Sequence, residues 1–172
     1  MRASFDLAVE SDLWGSADAW DAPLARAFDA CARHAGAAWP DREISVLLSD
    51  DAAIRALNCD WRGKDTATNV LSFPTVAPVG APAEMLRDLP LGDIAIAYET
   101  AAREARDEDK VLEHHVLHLA VHGALHLIGF DHETEKDAQE MEAAERRILA
   151  GLGIADPYRD SEPVEPSADI AR

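Results

Sequence analysis

Apolar and polar positions along this chain switch between two periods. "FDLAVE" (5–10) alternates as a strand with one buried face does, and "PLARAFDACARHAGA" (23–37) repeats its apolar residues at helical spacing. Asp21, ahead of Ala22 and Pro23, is the expected start of that helix. The order repeats: "REISVLLSD" (42–50) reads as a strand, and "DAAIRALNCDWR" (51–62) as a helix capped by Asp50 or Asp51.

After the polar "GKDTAT" (63–68), "NVLSF" (69–73) predicts a short strand that Pro74 ends. Residues 74–90 hold four prolines and one glycine and read as loop, leading into "LGDIAIAYE" (91–99), the clearest alternating strand of the chain. From Thr100 the pattern turns helical in three stretches, divided near Asp109 and by the glycine and turn after Ile128. The final stretch, 155–172, has three prolines, five acidic residues and little to bury, which predicts disorder. The expected architecture is α+β. It comprises a mixed sheet of about four strands with packed helices, in one domain over 1–154 followed by an acidic tail over 155–172.

Composition adds limits rather than detail. A chain of 172 residues, 48% hydrophobic and 28% charged, can bury one real core. It contains no run of eighteen apolar residues and no signal-like apolar block near its start, so neither membrane insertion nor export is expected, and a cytoplasmic location is. Cys31 and Cys59 stand in unrelated contexts, offer no disulfide framework and are expected to be buried thiols. The net charge of −17 disfavours a broad basic surface for nucleic acid, so any such role has to be local or delivered by a partner.

The candidate chemistry lies in "HGALHLIGFDH" (122–132). Residues four apart on a helix lie about 40° apart in azimuth and about 6 Å along the axis, so His122 and His126 can reach one ion. His114, His118, His122 and His126 form a ladder at that spacing, but three consecutive members span about 12 Å, too far to share an ion. Gly129 can take the left-handed conformation that ends a helix, turning the chain so that His132 approaches the pair. Three neutral imidazoles make a catalytic type of zinc site with an open position; imidazole also suits nickel, copper and iron. His118, one turn earlier, is placed to support the ligands from behind, and Asp131 either orients an imidazole or caps the turn.

The spacing H-x-x-x-H-x-x-G-x-x-H is similar to that of metzincin proteases, whose first histidine is followed by a glutamate acting as general base. Position 123 is Gly, which sets peptide hydrolysis back. A phosphodiester asks instead for a metal together with a cation that stabilises charge on phosphorus.

Together, "HGALHLIGFDH", "LNCDWRGKDTATNVLSFP" (57–74) and "LGDIAIAYE" resemble the YbeY family of bacterial rRNA maturation factors, zinc-dependent single-strand endoribonucleases. The resemblance covers roughly residues 40 to 150. Phe130 replaces the family's frequent Tyr, and Asn69 stands where the family commonly has Asp. The resemblance implies a mixed sheet with helices around it, His122, His126 and His132 as ligands of one Zn²⁺, and Arg62 as the catalytic or RNA-contacting arginine. It also implies an rRNA substrate on the small ribosomal subunit, reached through ribosomal-protein or assembly-factor partners. Read without the resemblance, Arg62 is a surface arginine pairing with Asp60 or Asp65. Lys64 and Ser72 are further candidate substrate contacts, equally explained as a loop lysine and the end of a buried strand. The acidic runs 104–109 and 133–145 read as solvated helix faces.

Three functions follow from this reading. The first is a metal-dependent endoribonuclease in rRNA processing. The second is a noncatalytic ribosome-assembly factor in which zinc staples the helix–turn junction, and the third is a metallohydrolase of another substrate, such as a peptidase.

Overall fold

The structure, a computed structural model, describes residues 2–159. Four strands form one sheet in the order β1-β2-β4-β3: β1 (Phe5–Val9), β2 (Ile44–Ser49) and β4 (Gly92–Ala97) are parallel, and β3 (Val70–Pro74) runs antiparallel to β4. The mixed sheet of the α+β expectation is therefore present.

Burial follows each strand's place in the sheet. The edge strand β1 alternates, with Phe5, Leu7 and Val9 turned to the core and Asp6 and Ala8 exposed. Strand β4 is central, and apart from exposed Asp93 it is buried on both faces, so beyond Asp93 its alternation is one of size rather than polarity. Ile94 and Ile96 enter the main core, while Ala95 and Ala97 face Ile54 of α2 (Asp51–Arg62) and Leu71 of β3. The main core is closed by α1 (Asp18–Ala35), α5 (Leu112–Leu127) and α6 (Glu135–Gly151), with α5 seated on β3 and β4.

Helix α2 begins where expected: the Asp50 carboxylate accepts the Ala53 N–H at 2.8 Å. Asp51 has a different task, accepting from both the backbone and the hydroxyl of Thr100. Helix α1 starts a turn earlier than Asp21 predicts, because Trp20 is anchored there. Its indole donates to the Trp14 carbonyl, and the Trp14 indole donates to the carbonyl of Ser49. That burial outweighs the cost of holding Pro23 inside the helix.

The proline-rich stretch predicted as loop contains a short helix, α3 (Ala83–Asp88), which Pro82 precedes. Strand β4 stops at Ala97 and the chain enters α4 (Tyr98–Asp107) directly, two residues before the predicted boundary. Cys31 is buried as expected, but Cys59 is exposed. Most of the predicted tail, 160–172, lies outside the described residues. Within them, Tyr158 is packed against α5 and α6, contrary to the expectation of disorder from residue 155. Among the described residues no helix is long and apolar enough to cross a membrane.

Candidate metal centre

Helix α5 is largely buried because the sheet, α1, α4 and α6 all pack on it, and His114, His118, His122 and His126 lie half-buried along one stripe of it. After Ile128 the chain reverses at Gly129 (φ +100°), and the Phe130 N–H returns to the Leu125 carbonyl at 3.0 Å. That reversal brings His132 beside the helix. The ring centroids of His122 and His126 are 4.7 Å apart, and those of His126 and His132 are 5.0 Å apart. One nitrogen from each of the three rings lies within 4.8 Å of the other two, so this set could hold a metal ion.

Hydrogen bonds assign the tautomers. His122 Nδ1 donates to Glu145 Oε1 at 2.5 Å, and His126 Nδ1 donates to the Phe130 carbonyl at 2.9 Å. The two Nε2 lone pairs then face each other at 3.1 Å. Two acceptors at this range call for a shared electrophile, and two nitrogens bound to one tetrahedral zinc lie about 3.3 Å apart. Burial, with His122 beside it, holds the His126 imidazole below its ordinary pKa and favours the neutral, ligating form. The donor set fits a metal.

Glu145 is the residue that sequence reasoning missed. Placed among solvated acidic residues by composition, it is fully buried. It sits in phase with Met141, Ala144, Ile148 and Leu149 on the inner stripe of α6, and that phase was the available signal. Burial would raise its pKa, but hydrogen bonds from His118, His122 and Tyr158 outweigh burial and hold the carboxyl at about 2. Burial, and then the neighbouring Glu145 charge, push the Tyr158 phenol well up, so it stays a donor. His118, one turn before His122, shares the same carboxylate, with Nε2 3.2 Å from Glu145 Oε2. Asp131 takes the local role: it accepts the backbone N–H of His132 at 2.6 Å. His115, one turn before Leu119, is buried against Glu104, which also receives the Asn69 side-chain amide.

Arg62 closes α2 just before Gly63 and pairs with neither Asp60 nor Asp65; Asp65 is held by both arms of Arg55. The guanidinium lies 5.6 Å from the centroid of the Phe73 ring and donates to the Ser72 carbonyl at 3.2 Å. The Ser72 hydroxyl in turn donates to the carbonyl of Gly123, the residue after His122, at 2.9 Å. Ser72 thus ties the exposed arginine to the histidine helix, while Lys64 stays exposed in the turn beyond Gly63. Gly123 itself is buried against β4, where an added Cβ would stand 3.1 Å from Ile94. Any side chain at this position would press on Ile94, and the residue present carries no carboxylate, so the metzincin general base is missing here.

The comparisons agree with this geometry. Residues 12–153 match the family model described as endoribonuclease YbeY. The chain is 52% identical over 159 residues to the endoribonuclease YbeY of Rhodopseudomonas palustris strain BisA53, covering 91% of each chain. It is 50% identical over 157 residues to that of Nitrobacter hamburgensis, covering 91% of this chain and 83% of the relative. The solution structure of a Thermotoga maritima protein superposes with a TM-score of 0.56 at 22% identity, over 94% of this chain and 99% of that one, which speaks for the fold. With a family model spanning both the histidine cluster and the Arg62 segment, and relatives half identical along most of the length, the chain belongs to the endoribonuclease YbeY family.

Proposed function

We propose that this protein is a zinc-dependent single-strand endoribonuclease of rRNA maturation, acting on the 3′ end of 16S rRNA and in ribosome quality control. The observation that carries the reading is the convergence of His122, His126 and His132, two of them locked in the ligating tautomer, on a helix that Ser72 ties to Arg62. In this reading residues 1–154 are one catalytic domain and the protein works in the cytoplasm.

The three imidazoles would hold the ion. When bound, zinc would supply Lewis-acid activation of the nucleophile, water or the neighbouring ribose hydroxyl, and polarisation of a phosphoryl oxygen. Arg62 contributes the positive charge that the phosphoryl oxygens need as negative charge builds on them. Its bond to the Ser72 carbonyl and its place over Phe73 hold the guanidinium at the chain segment nearest Gly123. The net charge of −17 makes free-RNA affinity weak and salt-sensitive, so delivery to the small ribosomal subunit falls to ribosomal-protein or assembly-factor partners.

Cleavage of a structured rRNA fragment by the wild type, Arg62→Ala and His126→Ala, with bound metal quantified for each, tests the reading. The wild type is expected to cut, His126→Ala to lose metal and activity, and Arg62→Ala to keep metal and lose activity. Equal cleavage by all three, or by none, would favour the noncatalytic assembly factor. The open three-ligand set argues against a zinc that only staples the fold.

A further inference from the structure

The segment after α6 looks expendable in the sequence, yet it reaches the back of the metal centre. We infer that Tyr158 is a positioning residue of that centre: it fixes the Glu145 carboxylate so that His122 presents Nε2, and not Nδ1, toward the other two histidines.

A carboxylate with no exposed surface, such as that of Glu145, is tolerable only if its oxygens are satisfied. Oε1 takes the His122 Nδ1–H at 2.5 Å. Oε2 takes His118 Nε2–H at 3.2 Å and the hydroxyl of Tyr158. With His118 protonated at Nε2, its Nδ1 carries a lone pair, in keeping with the absence of any partner for that buried atom among the described residues. Tyr158 is therefore one of two donors that stop the carboxylate from rotating and offering a different oxygen, or a different angle, to His122. Both donors act on the oxygen that His122 does not use.

Tyr158 is itself held on several sides. Its ring meets His118 edge-on, with centroids 5.7 Å apart, and carries the Arg146 guanidinium 5.1 Å from its centre. Asp156 accepts both the Tyr158 backbone N–H at 2.9 Å and Arg146 Nε at 3.3 Å. Lys110, in the turn between α4 and α5, donates to the Pro157 carbonyl at 3.5 Å. Residues 156–159 thus form a clasp spanning the α4–α5 turn and α6, with a single hydroxyl delivered to the buried carboxylate.

This inference rests on the metal reading of the three histidines but not on RNA cleavage, so its test uses neither RNA nor activity. Zinc affinity is measured by competition with a chromophoric chelator for the wild type, Tyr158→Phe and Glu145→Gln. Ring-nitrogen NMR of the metal-free proteins reports the tautomer of His122. Tyr158→Phe keeps the ring and its packing, so its fold is checked by thermal melting alone. The wild type is expected to show His122 protonated at Nδ1. Tyr158→Phe should bind zinc about tenfold more weakly and populate the other tautomer, and Glu145→Gln should lose more. Unchanged zinc affinity in Tyr158→Phe would overturn the inference. So would weaker zinc binding with an unchanged His122 tautomer, since that is what a purely structural tyrosine produces. If the wild type binds no zinc, the metal reading fails by itself, and the tautomer comparison still decides the role of Tyr158.

Discussion

Adding one methyl group at Gly123 sets two known effects against each other at the point where the histidine helix touches the sheet. Alanine in a helix interior is favoured over glycine by about 1 kcal/mol. Against this, the new Cβ would meet Ile94 Cδ1 and Cγ2 at 3.1 Å and Cγ1 at 3.2 Å, whereas carbon atoms pack best at about 3.5–4.0 Å. Cγ1 and Cγ2 branch from the same Ile94 carbon, so rotating that side chain only exchanges one contact for another, and Ile94 is fully buried on the central strand. Relief requires moving α5 away from β4, which strains the Ser72–Gly123 hydrogen bond. Overpacking of this kind costs about 1–3 kcal/mol, so after the propensity gain Gly123→Ala is expected to be destabilising by up to about 2 kcal/mol net. Urea unfolding followed by far-UV circular dichroism, on the wild type, Gly123→Ala, Ile94→Ala and the double variant, measures this. With Ile94 cut back the contact is gone, and Gly123→Ala should become stabilising by up to about 1 kcal/mol. A stabilising Gly123→Ala in the wild-type background, or the same change in both backgrounds, would refute the packing argument.

The two cysteines should behave as opposites. A thiol-reactive chromophore is expected to label Cys59 at once in the native protein and Cys31 only after unfolding, because Cys59 is exposed and Cys31 is buried. Burial also pushes the Cys31 thiol up to about 12 from 9.0. A raised folded-state pKa stabilises below the unfolded value, and that stabilisation is lost as pH rises toward 12, since the unfolded chain ionises first. Urea unfolding near pH 8 and near pH 10 should therefore show a larger alkaline loss in the wild type than in Cys31→Ala, the difference being at most about 1.4 kcal/mol per pH unit. At the start of α2, Asp50→Ala removes the side-chain acceptor of the Ala53 N–H and should lower stability by about 1 kcal/mol by the same urea assay, while Asp50→Asn, which retains an acceptor, should lose much less.

Where structure is written in local periodicity, the sequence determined it. The strands of 5–10 and 42–50, the cap at Asp50, the helices after residue 100 and the clustering of the H-x-x-x-H-x-x-G-x-x-H histidines all depend on neighbours a few residues apart, and short-range sterics and turn chemistry decide those. The tertiary structure decided what depends on partners distant in the chain. Helix α1 gained a turn because Trp20 found Trp14, and the 74–90 stretch gained a helix that its prolines concealed. Gly123 became a packing site through Ile94, and Arg62 became a neighbour of the histidine helix through Ser72. Glu145 is the sharpest case. By composition it was one acid in a charged run; folding surrounds it with His118, His122 and Tyr158, from positions 27, 23 and 13 residues away. A local pattern records which side chains are charged. Whether a charge is solvated or buried depends on the donors that folding brings to it, and here those donors turn a buried carboxylate into the hydrogen-bond partner that orients His122.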